Sequence, residues 1–204
     1  YPEGTIFYVE EGWHDVEFFA VGTNQQLYIA PGAVLNARVQ VMKSQQNVKI
    51  FGRGMLRDFN DTRAYNSSVE GQDRRFQYIL TVGSSWNSNS KAKNVTVKDI
   101  ILFDSKSFNL VLLGVDNCTV DGIKIVSNEI STDGISFWAG SSNTVVKNSF
   151  LYVADNTFVI GAGGAIGKLT MDNLLVGSTI AIFFPQAVIT GEHNYTNINV
   201  FRSN

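Results

Sequence analysis

From residue 94 onward, short alternations of apolar and polar residues recur about every 24 positions. Asn94-Val-Thr-Val-Lys-Asp-Ile-Ile-Leu-Phe is echoed by Asn117-Cys-Thr-Val-Asp-Gly-Ile-Lys-Ile-Val and by Asn143-Thr-Val-Val-Lys-Asn-Ser-Phe-Leu-Tyr. Gly167-Lys-Leu-Thr-Met-Asp-Asn-Leu-Leu-Val is a fourth copy, and Asn194-Tyr-Thr-Asn-Ile-Asn-Val-Phe begins a fifth. Each unit reads as a strand, a polar or glycine pair that bends the chain, and a second strand. The middle units add a third apolar run: Leu110-Val-Leu-Leu, Ile135-Ser-Phe-Trp, Phe158-Val-Ile and Ile180-Ala-Ile-Phe-Phe. Period-two alternation marks strands, and the 3.6-residue period of a helix is absent.

Three short strands per repeat predict a right-handed parallel β-helix, an all-β solenoid of stacked coils. Runs of three to five residues are too short for a sandwich, and abundant Gly, Asn and Ser suit repeated sharp corners. Like positions then stack about 4.8 Å apart between coils, so Val97, Val120, Val146 and Leu169 are expected to form one core ladder. Leu27-Tyr-Ile-Ala-Pro-Gly-Ala-Val-Leu and Asn47-Val-Lys-Ile-Phe-Gly-Arg-Gly-Met-Leu look like earlier coils. A single domain over residues 1–204 is expected, with 1–26 as an entry or capping segment. Polar stretches at 57–75 and 84–93 read as loop excursions, of the kind that wall a binding face on a solenoid.

Composition narrows the function classes. Hydrophobic residues make up 44% and charged residues 17%, as in an ordered globular protein. A net charge of −2 gives no reason to expect nucleic acid or an anionic membrane as partner, and no apolar run is long enough to span a bilayer. Cys118 is the only cysteine, which excludes an intrachain disulfide and a cysteine-rich metal site. His14 and His193, the two histidines, sit at opposite ends, so neither a His-based mechanism nor a metal or other cofactor is expected. The start has no signal-peptide pattern and no initiator Met, so the sequence reads as mature, trimmed or excerpted from a longer chain. Five Asn-x-Ser/Thr sequons, at Asn60, Asn66, Asn94, Asn117 and Asn194, permit glycosylation in a secretory pathway, or follow from Asn-rich turns.

Two acids stand out by position. Asp133, in Ser131-Thr-Asp-Gly-Ile-Ser-Phe, and Asp155, in Val153-Ala-Asp-Asn-Thr-Phe, each precede the third strand of a coil. Their spacing of 22 residues is one coil and places them on neighbouring rungs of one face, close enough for acid–base work on a glycosidic bond. Proximity of like charges also raises one of two carboxyl pKa values. The competing reading is structural, since Asp is common in turns, where it bonds local backbone. Trp138, Tyr152 and Trp86 are candidates to stack on sugar rings, Trp138 being equally able to cap the core. Asn109, Asn156 and Gln186 fall near the same face by register and are candidates to bond hydroxyls. The glycine-rich Gly161–Gly167 lacks the helix and Lys-Ser/Thr of a phosphate loop and reads as a corner.

Thr132-Asp-Gly-Ile, followed one coil later by Ala154-Asp-Asn, resembles the Thr-Asp-Gly and Asp-Asp pair of the pectin-lyase-like glycosidases. These comprise the polygalacturonase family and the dextranase/isopullulanase family. Gly4-Thr-Ile-Phe-Tyr-Val-Glu-Glu-Gly-Trp-His and the following Leu27-Tyr-Ile-Ala-Pro-Gly-Ala-Val are similar to the β-helix entry of the second family, and Gly52-Arg-Gly-Met-Leu matches a segment of both. The resemblance implies a secreted, extracellular inverting glycoside hydrolase acting on a polysaccharide, with Asp133 and Asp155 activating water. It also exposes a departure: the position matching the general acid is Ala154. The histidine and Arg-Ile-Lys of polygalacturonases are missing too, Val176-Gly-Ser-Thr standing where the histidine belongs, so a neutral glucan fits better than galacturonate. Two other classes stay open. One is a non-catalytic carbohydrate-binding or adhesive β-helix. The other is a polysaccharide lyase or epimerase, for which Lys124, Lys147 and Arg53 supply bases that the repeat does not group.

Overall fold

The computed structural model describes residues 1–58, 78–84, 88–105, 107–129, 131–186 and 188–202. Among these the chain forms eighteen strands, every pair of which runs parallel. They are β1 (Ile6–Val9), β2 (Gly12–Val21), β3 (Gln26–Ile29), β4 (Ala33–Val41), β5 (Gln46–Gly52) and β6 (Met55–Arg57). There follow β7 (Leu80–Val82), β8 (Ala92–Lys98), β9 (Ile101–Phe103), β10 (Leu110–Leu113), β11 (Val115–Asp121) and β12 (Lys124–Ser127). The last six are β13 (Ile135–Trp138), β14 (Ser142–Val153), β15 (Phe158–Ile160), β16 (Leu169–Ser178), β17 (Phe183–Pro185) and β18 (His193–Arg202).

These strands wind into a right-handed β-helix of about seven turns with three faces. The first face stacks β1, β3, β5, β8 and β11, then the leading halves of β14, β16 and β18. The second stacks the leading halves of β2 and β4, then β6, β9, β12 and the trailing halves of β14, β16 and β18. The third runs from the trailing halves of β2 and β4 through β7, β10, β13 and β15 to β17. Residues 6–21, within the segment expected as an entry, already form a first coil paired to β3 and β4.

Alternation decides what lies inside. On the third face Leu110 and Leu112 stack on Ile135 and Phe137, and these on Phe158 and Ile160, all buried. On the first face the ladder Val97–Val120–Val146 continues to Met171 and Tyr195. Leu169, expected in that ladder, instead continues the adjacent one through Val95, Cys118 and Thr144. The fourth repeat is thus one residue out of step with its apparent alignment, because rungs and not residue counts set the stack. Burying each such aliphatic side chain stabilises by roughly 1.5–3 kcal/mol.

The corners carry a second ladder, made of asparagine. Asn24, Asn47, Asn94 and Asn117 lead into the first face with φ of 57, 55, 54 and 59°. Asn tolerates this left-handed region better than other side-chain-bearing residues. Each amide donates to the Oδ1 one coil earlier: Asn117 to Asn94 at 2.8 Å, Asn94 to Asn47 at 3.0 Å, and Asn47 to Asn24 at 2.9 Å. Asn148 and Asn173 repeat the device between the first and second faces. Two sequon nitrogens, those of Asn94 and Asn117, are therefore already engaged, and that of Asn194 donates to Glu192. Asn60 and Asn66 lie outside the described residues, as do Trp86 and most of the expected excursion 57–75. Of 84–93, residues 88–90 form a 3-10 turn and Ala92 opens β8.

Asn94 both gives and takes a ladder bond, which separates its two contributions. Asn94→Ala loses the bonds and strains the left-handed corner, and is expected to cost about 2 kcal/mol in chemical denaturation. Asn94→Gly removes the strain and should cost about half as much. Equal losses in the two variants would show that backbone conformation contributes nothing at this corner.

Candidate active site

The corner between the second and third faces carries the acids. Before β13, Thr132 is buried and its Oγ1 donates to the Glu129 carbonyl at 2.6 Å, closing the bend that delivers Asp133. Gly134 comes next for a steric reason: a Cβ there would stand 2.4 Å from the Thr157 carbonyl oxygen of the following coil. The Asp133 carbonyl accepts from the backbone N–H of Asn109 at 3.0 Å and from its Nδ2 at 2.9 Å. Asp133 is therefore gripped by the coil before it and packed against the coil after it.

Asp133 and Asp155 are not rung partners. Ile135 pairs with Phe158, so Asp133 stacks on Asn156, and Asp155 falls one residue earlier. The coil before β13 spends seven residues on this corner and the next coil only four, so a 22-residue spacing does not give rung equivalence. The carboxylates meet nonetheless, through Asn156. Its Nδ2 donates to Asp133 Oδ1 at 3.0 Å and to Asp155 Oδ1 at 2.8 Å. Its backbone N–H is shared between the same two oxygens, at 3.1 and 2.9 Å. The oxygens can be no farther apart than the two Nδ2 distances laid end to end.

One coil on, Ser178 Oγ donates to the Asp155 carbonyl and Thr179 Oγ1 to the Ala154 carbonyl. These hydroxyls occupy the stretch where no histidine was found, and they set the backbone of the acid-bearing turn. The sequence carries a signal for them, a Ser-Thr pair one coil after Ala-Asp.

Electrostatics separates the two acids. Burial, foremost, pushes the Asp133 carboxyl from 3.8 up to about 6; the Asn156 side chain counters this and the Asp155 charge adds to it. Asp133 is 5% exposed, whereas Asp155 is half-buried.

The other sequence candidates scatter. Asn109 is fully buried beneath Asp133. Trp138, the last residue of β13, lies five residues after Asp133, roughly 16 Å away at about 3.3 Å per residue. It is 7% exposed and packs edge-on against Tyr78 and Phe108, outside the coil core. Gln186 shares Trp138's end of the third face, its backbone N–H donating to the Ile160 carbonyl. Tyr152 points outward on the second face beside Phe201, ring centroids 5.7 Å apart. Lys124 is exposed on the second face and Lys147 pairs with Asp121 on the first, while Arg53 follows β5, so the candidate lyase bases do not converge on the acids. Among the described residues no group of three or more His, Cys, Asp or Glu is placed to hold a metal ion, and no helix is long and apolar enough to cross a membrane.

Parallel coils of three short strands define this chain as having the pectin-lyase-like β-helix fold. Among solved structures it is similar to a polygalacturonase from Erwinia carotovora, with a TM-score of 0.67 at 16% identity, covering 98% of this chain and 70% of that one. It is also similar to a Parabacteroides merdae protein assigned as a glycosyl hydrolase, with a TM-score of 0.64 at 16% identity over 92% and 84% of the two chains. Dex49A from Penicillium minioluteum follows with a TM-score of 0.53 at 13% identity, covering 96% of this chain and 44% of that one. No family model and no curated protein sequence matches. Identities this low establish the fold.

The raised Asp133 pKa links stability to pH. The folded state binds the proton more tightly than the unfolded chain, so its contribution is complete below about pH 4 and is lost as pH rises through about 6. Asp133→Asn keeps the acceptor oxygen and removes the charge. Denaturant midpoints should therefore show the variant more stable than wild type at pH 8, by about 2–3 kcal/mol. At pH 4 the two should converge.

Proposed function

We propose that this chain is a glycoside hydrolase that cuts a polysaccharide, a neutral glucan, by an inverting mechanism in which Asp133 and Asp155 hold and deprotonate water. The observation that carries the reading is the bridging of the two carboxylates by Asn156 at the head of the third face. Inverting glycosidases keep acid and base about 6.5–9.5 Å apart, with water between base and sugar. The amide bridge holds Asp133 and Asp155 closer than that, so both belong on the water's side of the bond. In the reaction one carboxylate takes a proton from water as its oxygen attacks the anomeric carbon. The bond to the leaving sugar breaks, and that oxygen must receive a proton from another group.

Ala154 cannot give it. Two nearby acids could substitute, Asp104 and Glu129; Asp104 is committed to Arg57 at 3.4 Å, which leaves Glu129, four residues before Asp133, as the donor. A neutral substrate accords with the pairing of nearby cations: Arg57 faces Asp104, and Arg38 faces Glu17 and Asp58 at 3.5 and 3.7 Å. A polysaccharide, too large to cross a membrane unaided, would be met outside the cell. Ala154 also favours a second reading, a β-helix that binds glycan without cutting it.

A neutral-glucan panel assayed for reducing ends separates these. Hydrolysis should fall about 100-fold or more in Asp155→Asn, the product should have inverted anomeric configuration, and Ala154→Asp should raise the rate by a comparable factor. Activity indifferent to Asp155→Asn defeats the catalytic assignment. Calorimetric binding with no product from either wild type or Ala154→Asp establishes the binding reading instead.

A further inference from the structure

We propose that Asn156 is a positioning residue: its amide clamps Oδ1 of both Asp133 and Asp155, leaving Oδ2 of each as the oxygen that takes and gives protons. This rests on the reading of those two acids as the reacting pair.

The geometry is that of a fork. Asn156 is held as the rung partner of Asp133, its carbonyl accepting the Gly134 N–H at 2.9 Å. The side-chain nitrogen donates to both carboxylates, and the backbone hydrogen is shared between them. Other described asparagines, such as Asn94, Asn117 and Asn173, donate to a single amide oxygen in the corner ladders. An oxygen accepting two N–H groups is a poor place for a proton, because a hydroxyl there would face donors. A neutral Asp133 therefore carries its proton on Oδ2. Among the described residues neither Oδ2 takes a hydrogen bond, so the reactive oxygens are left for water and substrate. With its Nδ2 engaged by the two carboxylates, Asn156 would bond a substrate hydroxyl through Oδ1, as an acceptor.

The clamp also sets proton affinity. Asp155, on the next coil, is the charge that acts on Asp133. Glu129 on the same turn, Asp104 after β9, paired with Arg57, and Asp58 after β6, paired with Arg38, are further acids of this corner. Among the described residues no cation acts on Asp133, and the Asn156 amide and N–H are what moderate its rise.

The test is a carbon-13 carboxyl titration of aspartate-labelled protein without substrate, the Asp133 signal being identified by its loss in Asp133→Asn. In Asn156→Ala the Asp133 midpoint should move upward by about one unit from its wild-type position near 6. Asn156→Gln, which restores an amide donor, should return part of that shift. If Asn156→Ala does not fold, Asn156→Ser and Asn156→Gln are compared with wild type, and any upward shift supports the clamp. A midpoint that stays put in every folded variant overturns it and makes Asn156 a packing residue. Because no substrate is present, a protein without hydrolytic activity can still show the shift, and an active one can fail to show it.

Discussion

Hydrogen bonding between coils is the constraint on which everything else in this molecule depends. Among the described residues no strand has a partner within its own turn, so each backbone N–H and C=O of a strand must be met by the turn before or after. That requirement forces like positions into columns about 4.8 Å apart. Columns of Val, Leu and Ile then fill the interior, and columns of Asn hold the corners in a conformation that would strain most other residues. The last rung shows what the stack does for the others. Phe183, Tyr195 and Val200 occupy inward columns, yet are 37, 40 and 52% exposed, because no described rung follows to cover them.

Because stacking demands chemical likeness at a fixed interval, the fold was legible as a repeat. Legibility stopped at register. The eye aligns Asn143 with Gly167, but pairing sets Thr144 against Leu169, since the glycine-rich corner between them absorbs a residue without disturbing any rung. The acid-bearing corner varies in the same way, which is why a one-coil spacing between Asp133 and Asp155 turned out to be an offset of one. Corner length is limited by sterics alone, so sequence spacing locates a coil better than it locates a neighbour.

The candidate site was half legible for a related reason. Residue type and nearness to a strand start pointed to Asp133, Asp155 and Asn156. Trp138 and Gln186 were drawn in by belonging to the same face, although they lie at the far end of its strands, where side chains are separated from the acids by the strand's own length. Asn109 has the right type and the right end but is spent beneath the site on a backbone carbonyl. Which atoms of Asn156 face which oxygens could not be read from type or spacing, because it depends on two coils of unequal corner length meeting at one point.

Set against the rest of the stack, the Asp133 corner works against the fold's stability. In the asparagine ladders of the other corners a side-chain amide meets the neighbouring rung as amide on amide, or as amide on a half-buried carboxylate, in bonds at the surface. At Asp133 a carboxylate is buried beside a second one, with a proton affinity raised to about 6. An asparagine would accept the same Asn156 bonds without that cost, so turn formation alone does not account for an acid here. A buried carboxyl group with a displaced proton affinity beside a second carboxylate is what acid–base chemistry needs and what a structural turn avoids. Ala154 bears on the same balance. A third carboxylate at that position would add like charge to a pair already moderated by one amide. Its absence spares the corner that repulsion while depriving a hydrolytic site of its nearest proton donor.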